Sequence, residues 1–150
     1  MPGMNRCFPL AALAAVLLSV PLLAQADKYT ARLAWVPIAN VAAQASVSGK
    51  GTATATLAGT KLTVAGTFEG LPAPATVARL HRGVTKGARG PAFGDLTVTK
   101  GANGTSGTLA GSFNLSADQV ESLKEGKLYV QIHSEKGMDD GSTLWGWLLK

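Results

Sequence analysis

The stretch GTATATLAGTKLTVAGTF, residues 51–68, carries the fold. Small and β-branched residues alternate in it with a period of two, the pattern of a pleated strand with one face buried. Gly51–Leu57 and Lys61–Phe68 read as two strands joined at Ala58-Gly59-Thr60, a short glycine-containing link of the hairpin kind. Leu62, Val64 and Gly66 then face one way, and Lys61, Thr63, Ala65 and Thr67 the other.

The same period extends outward in both directions. Tyr29–Trp35 reads as a strand before the hairpin. After a turn at Leu71-Pro72-Ala73-Pro74 come Thr76–Arg82, Ala92–Thr99 and Ser106–Leu115, the last two joined by the glycine-rich link Lys100–Gly104. Lys127–His133 and Thr143–Leu149 complete about eight strands. One helix interrupts them near residues 116–125. Ser116 is placed to cap it, Gln119 completes a capping box, and Gly126 stands where a left-handed C-terminal residue is wanted. Ala117, Val120 and Leu123 recur at helical spacing and are expected to face the sheet. Many short strands with one helical excursion predict an all-β chain, an antiparallel Greek-key β-sandwich or flattened barrel.

Residues 1–26 have a different character. Arg6 precedes an almost wholly apolar run from Phe8 to Leu23, and Ala24-Gln25-Ala26 has the small-x-small form accepted by a signal peptidase. A membrane anchor is the rival reading of so long a run, but Pro21 and the Ala-x-Ala site favour cleavage after Ala26. The expectation is a periplasmic or extracellular domain over residues 27–150, without a transmembrane anchor after processing. The only cysteine, Cys7, lies in the leader, so no disulfide is expected and a packed core has to hold the domain together. Without Arg6, 13 basic residues stand against 9 acidic ones, a mature charge of +4. These charges are scattered, with no basic run of five, so nucleic acid is not an expected partner.

At this point the chain resembles the CHRD domain, a module first described in chordin and common in exported bacterial proteins. The resemblance rests on SGKGTATATL, on FEGLPAPATVARLHRG followed by a loop with Gly87, Gly90 and Pro91, on NLSADQVESLKEGKLYVQIHS, and on GSTLWGWL near the end. It implies a β-sandwich and an exported, non-enzymatic module. The growth-factor binding of chordin is not carried over to a single-domain chain with such a leader. His81 and His133 match two of the family's histidine positions, while Arg79 stands where the first histidine of a His-x-His pair is common. Trp35 replaces a usual glutamate, and Trp145 and Trp147 flank Gly146 where polar residues are common.

Strand alternation alone places these residues. Val77, Arg79 and His81 share one face of their strand. Leu128, Val130 and Ile132 form an apolar face, which puts Tyr129, Gln131 and His133 on the opposite side. With Leu80 and Ile132 in the core, His81 and His133 point out of it and are expected to be neighbours on one outer face. Two imidazoles are too few for a closed copper or zinc site, although Met138, Asp139 and Asp140 follow His133 and offer a thioether and carboxylates. Metal handling through His81 and His133 is therefore the alternative function. Arg79 weighs against a cation there and favours an anionic group. No G-x-S-x-G elbow or comparable nucleophile motif is present, and no cofactor or catalytic residue is expected. The glycine-rich stretch Gly83–Gly94 reads as a surface loop. In TLWGWLL, Leu144, Gly146 and Leu148 occupy one face, so Trp145 and Trp147 point away from the core, either open as a binding surface or covered by the 116–125 helix, an arriving loop or a second subunit. The expected ligand-binding residues are Arg79, His81, Tyr129, His133, Trp145 and Trp147, facing an unknown protein or glycan of the cell envelope.

Overall fold

The computed structural model describes residues 25–150. The leader reading of residues 1–24 lies outside the described residues. Eight antiparallel strands close into a barrel: β1 Asp27–Trp35, β2 Lys50–Ala58, β3 Lys61–Glu69, β4 Ala75–Arg82, β5 Ala92–Lys100, β6 Gly107–Asn114, β7 Leu128–Ser134 and β8 Ser142–Trp147. Their order around the barrel is β1-β2-β3-β6-β5-β4-β7-β8. Because β3 lies beside β6 and not beside β4, the middle of the chain forms a Greek key. Closure satisfies the expectation of a flattened barrel and leaves few free edges.

The β2–β3 hairpin is in the register that its alternation demands. Ala58 pairs with Lys61, so the link is two residues, Gly59-Thr60, and not three. Leu62 and Val64 are buried opposite Leu57 and Ala55, and the next inward pair, Ala53 with Gly66, leaves room inside the barrel. The interior is completed by Tyr29, Leu33, Leu80, Leu109, Leu128, Val130, Ile132, Leu144 and Leu148, all buried. This is a filled core with side chains from every strand except β5 fully enclosed, and Leu96 supplies β5's share at 5% exposure.

The helix, α1 Ala117–Lys124, begins with the expected capping box: Ser116 Oγ accepts from the Gln119 amide and Gln119 Oε1 accepts from the Ser116 amide. Gly126 follows it in the left-handed region, φ +72°, where a side chain would be strained. Leu123 is buried and Val120 packs partly on the core, but Ala117 is exposed. Ser122 takes the inward position instead, its hydroxyl donating to the Asp118 carbonyl. Between β1 and β2 lies a 3-10 turn, Val41–Ser46, with Val36 and Val47 buried on either side of it in the chain. Among the described residues no helix is long and apolar enough to cross a membrane.

Candidate functional site

The inward set of β4, β7 and β8 obliges their alternate residues to face out, and there the large side chains collect. Trp147 pairs with Tyr129 across β8 and β7, and Tyr129 pairs with His81 across β7 and β4. The next row runs Ala34, Trp145, Gln131, Arg79, Asp95 from β1 to β5. The rings are in contact. His81 stacks on Tyr129 with centroids 4.8 Å apart and planes 18° from parallel. Tyr129 lies 4.5 Å from Trp147 and 5.7 Å from Trp145, and the two indoles meet edge to face at 5.7 Å. Such pairs add stability beyond the area they bury.

Both indoles point away from the core, as alternation requires, but they are partly covered. Tyr129 is only 1% exposed although it faces outward. The cover is the loop of residues 83–91, whose ends are fixed by Arg82 N–H to the Pro91 carbonyl and Gly83 N–H to the Lys127 carbonyl. Near its C-terminal end, the Tyr129 hydroxyl accepts from Gly90 N–H and donates to the Gly90 carbonyl, each at 3.1 Å. The same carbonyl accepts from His81 Nδ1 at 3.0 Å. Arg89 Nη1 pairs with Asp140 at 3.0 Å, Nη2 donates to Ser142 Oγ at 3.3 Å, and the guanidinium lies 5.7 Å from the Trp145 ring centre. The loop comes this close because of its glycines: a Cβ on Gly90 would overlap the Arg82 carbonyl, and one on Gly83 would sit 2.9 Å from Trp147 Cη2.

His81 and His133 lie on adjacent strands and on one outer face. They are not side by side. His81 is opposite Tyr129, and His133 lies four residues further along β7, a backbone offset of about 13 Å, with Gln131 between them. Each sits at a break in register, His81 against β5 and His133 against β8, the kind of irregularity that re-aims a side chain. The Asp140 carbonyl accepts from His133 Nδ1 at 3.0 Å, which leaves His133 Nε2 to accept from the Gln131 amide at 3.0 Å. Gln131 is 2% exposed. Burial acts to raise the Asp140 carboxyl, but hydrogen bonds from Ser142, with Arg89 and His133 nearby, hold it below the usual carboxylate range. Its oxygens are engaged by Arg89 and the Ser142 amide. Among the described residues no group of three or more His, Cys, Asp or Glu is arranged to hold a metal ion.

Arg79 is tied to Asp95 at 2.9 Å on the exposed rim of the face. Trp35 stands elsewhere, at the barrel end, 47% exposed, its Nε1 donating to the Gly49 carbonyl. Tyr129 is the floor of the cluster, its hydroxyl already used twice by Gly90, rather than an exposed contact residue. Arg89, and the contact that Gly90 makes with Tyr129 and His81, are not marked by strand alternation. The available signal was a glycine at each end of a loop that follows a strand facing three aromatic residues.

A Greek-key barrel with a filled interior and a loop-covered aromatic face defines the class. Residues 32–139 match the CHRD domain family. That is well over half of the sequence, and the chain belongs to this family. The matched span holds β4, β7, His81, His133 and loop 83–91, and ends before β8 with its two tryptophans. No curated protein and no solved structure matches the chain.

Proposed function

We propose that this CHRD-family protein is exported, loses residues 1–26, and serves without catalysis as a binding or structural module of the cell envelope, periplasmic or extracellular. Its contact face is formed by Trp145, Trp147, Arg79 and Arg89, with His81, Tyr129 and His133 supporting them from beneath and beside. One observation carries the reading: an aromatic cluster stands on the outside of a barrel whose inside is already filled. Half-covered indoles beside arginines are the composition of protein and glycan contact sites. The rings supply apolar area at low entropy cost, and the guanidinium groups supply directional hydrogen bonds.

Intact-mass measurement on the exported species should give a chain beginning at Asp27. A mass that retains the first 26 residues, in the membrane fraction, would refute the export reading. For the contact face, the wild-type protein and a Trp145→Thr/Trp147→Thr variant are compared in capture by purified cell-wall polysaccharide and by envelope proteins. The expected result is loss of capture with the β-sheet circular dichroism retained. Equal capture by both, or a variant that does not fold, removes the indoles from the contact surface.

A further inference from the structure

The cover over the aromatic cluster depends on a ring with an unusual bonding state. A carbonyl can only accept, so the bond from His81 to Gly90 places a proton on Nδ1 and leaves a lone pair on Nε2. That Nε2 is buried and has no hydrogen-bond partner. The groups that act on the ring are Tyr129 stacked against it, Arg79 on its own strand, Arg89 on the loop and, from further along β7, His133. The nearby carboxylates of Asp95 and Asp140 are already paired with Arg79 and Arg89. Nothing near His81 welcomes a positive charge except the Gly90 carbonyl and the face of Tyr129.

We infer that His81 is an acid-operated latch: when its ring takes up a proton, residues 84–90 release Tyr129 and uncover the aromatic cluster. The incoming proton must go to Nε2, because Nδ1 already carries one. It creates a buried, charged N–H with no acceptor, in a setting that also holds two arginines. Swinging the imidazolium into water relieves this, at the loss of the Tyr129 stack and of the bond to Gly90. Gly90 then keeps only the Tyr129 hydroxyl, and the Arg89 pairing at the rim is exposed to solvent and salt. The loop ends stay tied to Pro91 and Lys127, so the motion is confined to the segment between them.

The direction of the equilibrium agrees. Burial holds the His81 imidazole below the usual histidine range, with the Gly90 bond opposing and His133, Arg79 and Arg89 adding to the depression. The closed loop is therefore favoured above the ordinary histidine value and is lost as pH falls through the lowered one. The latch does not depend on what the cluster binds. Only its consequence, stronger capture in mild acid, rests on the reading above.

Hydrogen–deuterium exchange of the processed protein at pH 7.5 and 5.5, corrected for intrinsic rates, tests it without any ligand. Exchange in 83–91 should rise by up to about tenfold per pH unit as pH falls from the ordinary histidine value toward the lowered one, while β2 and β3 stay protected. His81→Phe keeps a stacking ring and should abolish the pH response, whereas His133→Gln should retain it. If His81→Phe does not fold, the wild-type His81 Cε1–H resonance is titrated instead, and its midpoint should coincide with the rise in loop exchange. Equal protection at both pH values, an unchanged response in His81→Phe, non-coincident midpoints, or simultaneous opening of the whole barrel would each overturn the latch. Because Trp145→Thr/Trp147→Thr should still show the pH response of the loop while losing capture, failure of the latch and failure of the contact face are separable.

Discussion

The two outer faces of this barrel are built from different residues on the same backbone pattern. Across β1, β2, β3, β6 and β5 one row reads Thr30, Thr54, Ala65, Ala110, Thr97, and the next reads Arg32, Thr52, Thr67, Thr108, Thr99. Across β8, β7 and β4 the corresponding rows read Trp147, Tyr129, His81 and Trp145, Gln131, Arg79. The first face is mostly threonine, with Ala65, Ala110 and Arg32 among it, and stands largely in water. The second has large rings, a buried glutamine and a loop drawn over it by paired glycines. The threonine face shows what a strand of this barrel requires on its outside, which is β propensity and little else. The aromatic face exceeds that requirement, and its excess is the physical basis for reading it as a site.

The largest effect should come from the layer that both faces share. Ile132 is fully buried, opposite Ala78 on β4 and Leu144 on β8. Ile132→Ala should cost about 2–5 kcal/mol, seen as a fall in the denaturant midpoint, because the strands around it cannot collapse into the cavity. Exchange should then accelerate in the threonine-faced strands and the aromatic-faced strands alike. If only β7 and β8 became labile, the barrel would be two independent units, and the comparison of its faces would lose its common core.

A smaller and local effect separates the faces. Tyr129→Phe keeps the ring among His81, Trp145 and Trp147 but removes the hydroxyl that bonds Gly90 twice. The expected loss is about 1–3 kcal/mol, since the Gly90 N–H is left without its partner. It should appear as faster amide exchange in 83–91, with β2 and β3 unchanged. Uniform destabilisation would mean that Tyr129 belongs energetically to the barrel core.

The contrast also explains what was legible in the sequence. All eight strands follow from period-two alternation to within one or two residues at each end, because burial on one side imposes that period directly. The outward direction of Arg79, His81, Tyr129, His133, Trp145 and Trp147 follows from the same rule. Their covering does not. Whether an outward ring is wet depends on a loop remote in sequence, and Gly83 and Gly90 look the same in a loose loop as in one pressed against Trp147 and Arg82. The spacing of the histidines was likewise hidden. Alternation assigns a face, but the four-residue offset between His81 and His133 is set by strand register and its breaks, which local periodicity does not encode. The 3-10 turn Val41–Ser46 was missed because none of its residues is buried, so no apolar period marks it.

The smallest expected effect is on the threonine face, and it sharpens the comparison most. Thr108 is exposed on β6 between Thr67 of β3 and Thr99 of β5. In Thr108→Lys the new side chain extends into water from a position whose neighbours are short, so it needs no rearrangement. Lysine is less suited to a strand than threonine, and the stability change should stay within about 0.5 kcal/mol, as for ordinary surface substitutions. Loop exchange at 83–91 and its pH response should be unaltered, since β6 pairs with β3 and β5 and not with β4, β7 or β8, the strands beneath that loop. Capture by wall polysaccharide or envelope protein should be unaltered as well. A charge introduced into a contact surface disturbs binding far more than it disturbs folding, because it has to be desolvated or repelled when a partner docks. A Thr108→Lys protein that folds normally but loses capture would therefore transfer the contact surface from the aromatic face to the threonine face, and would leave the tryptophan cluster as packing beneath a loop.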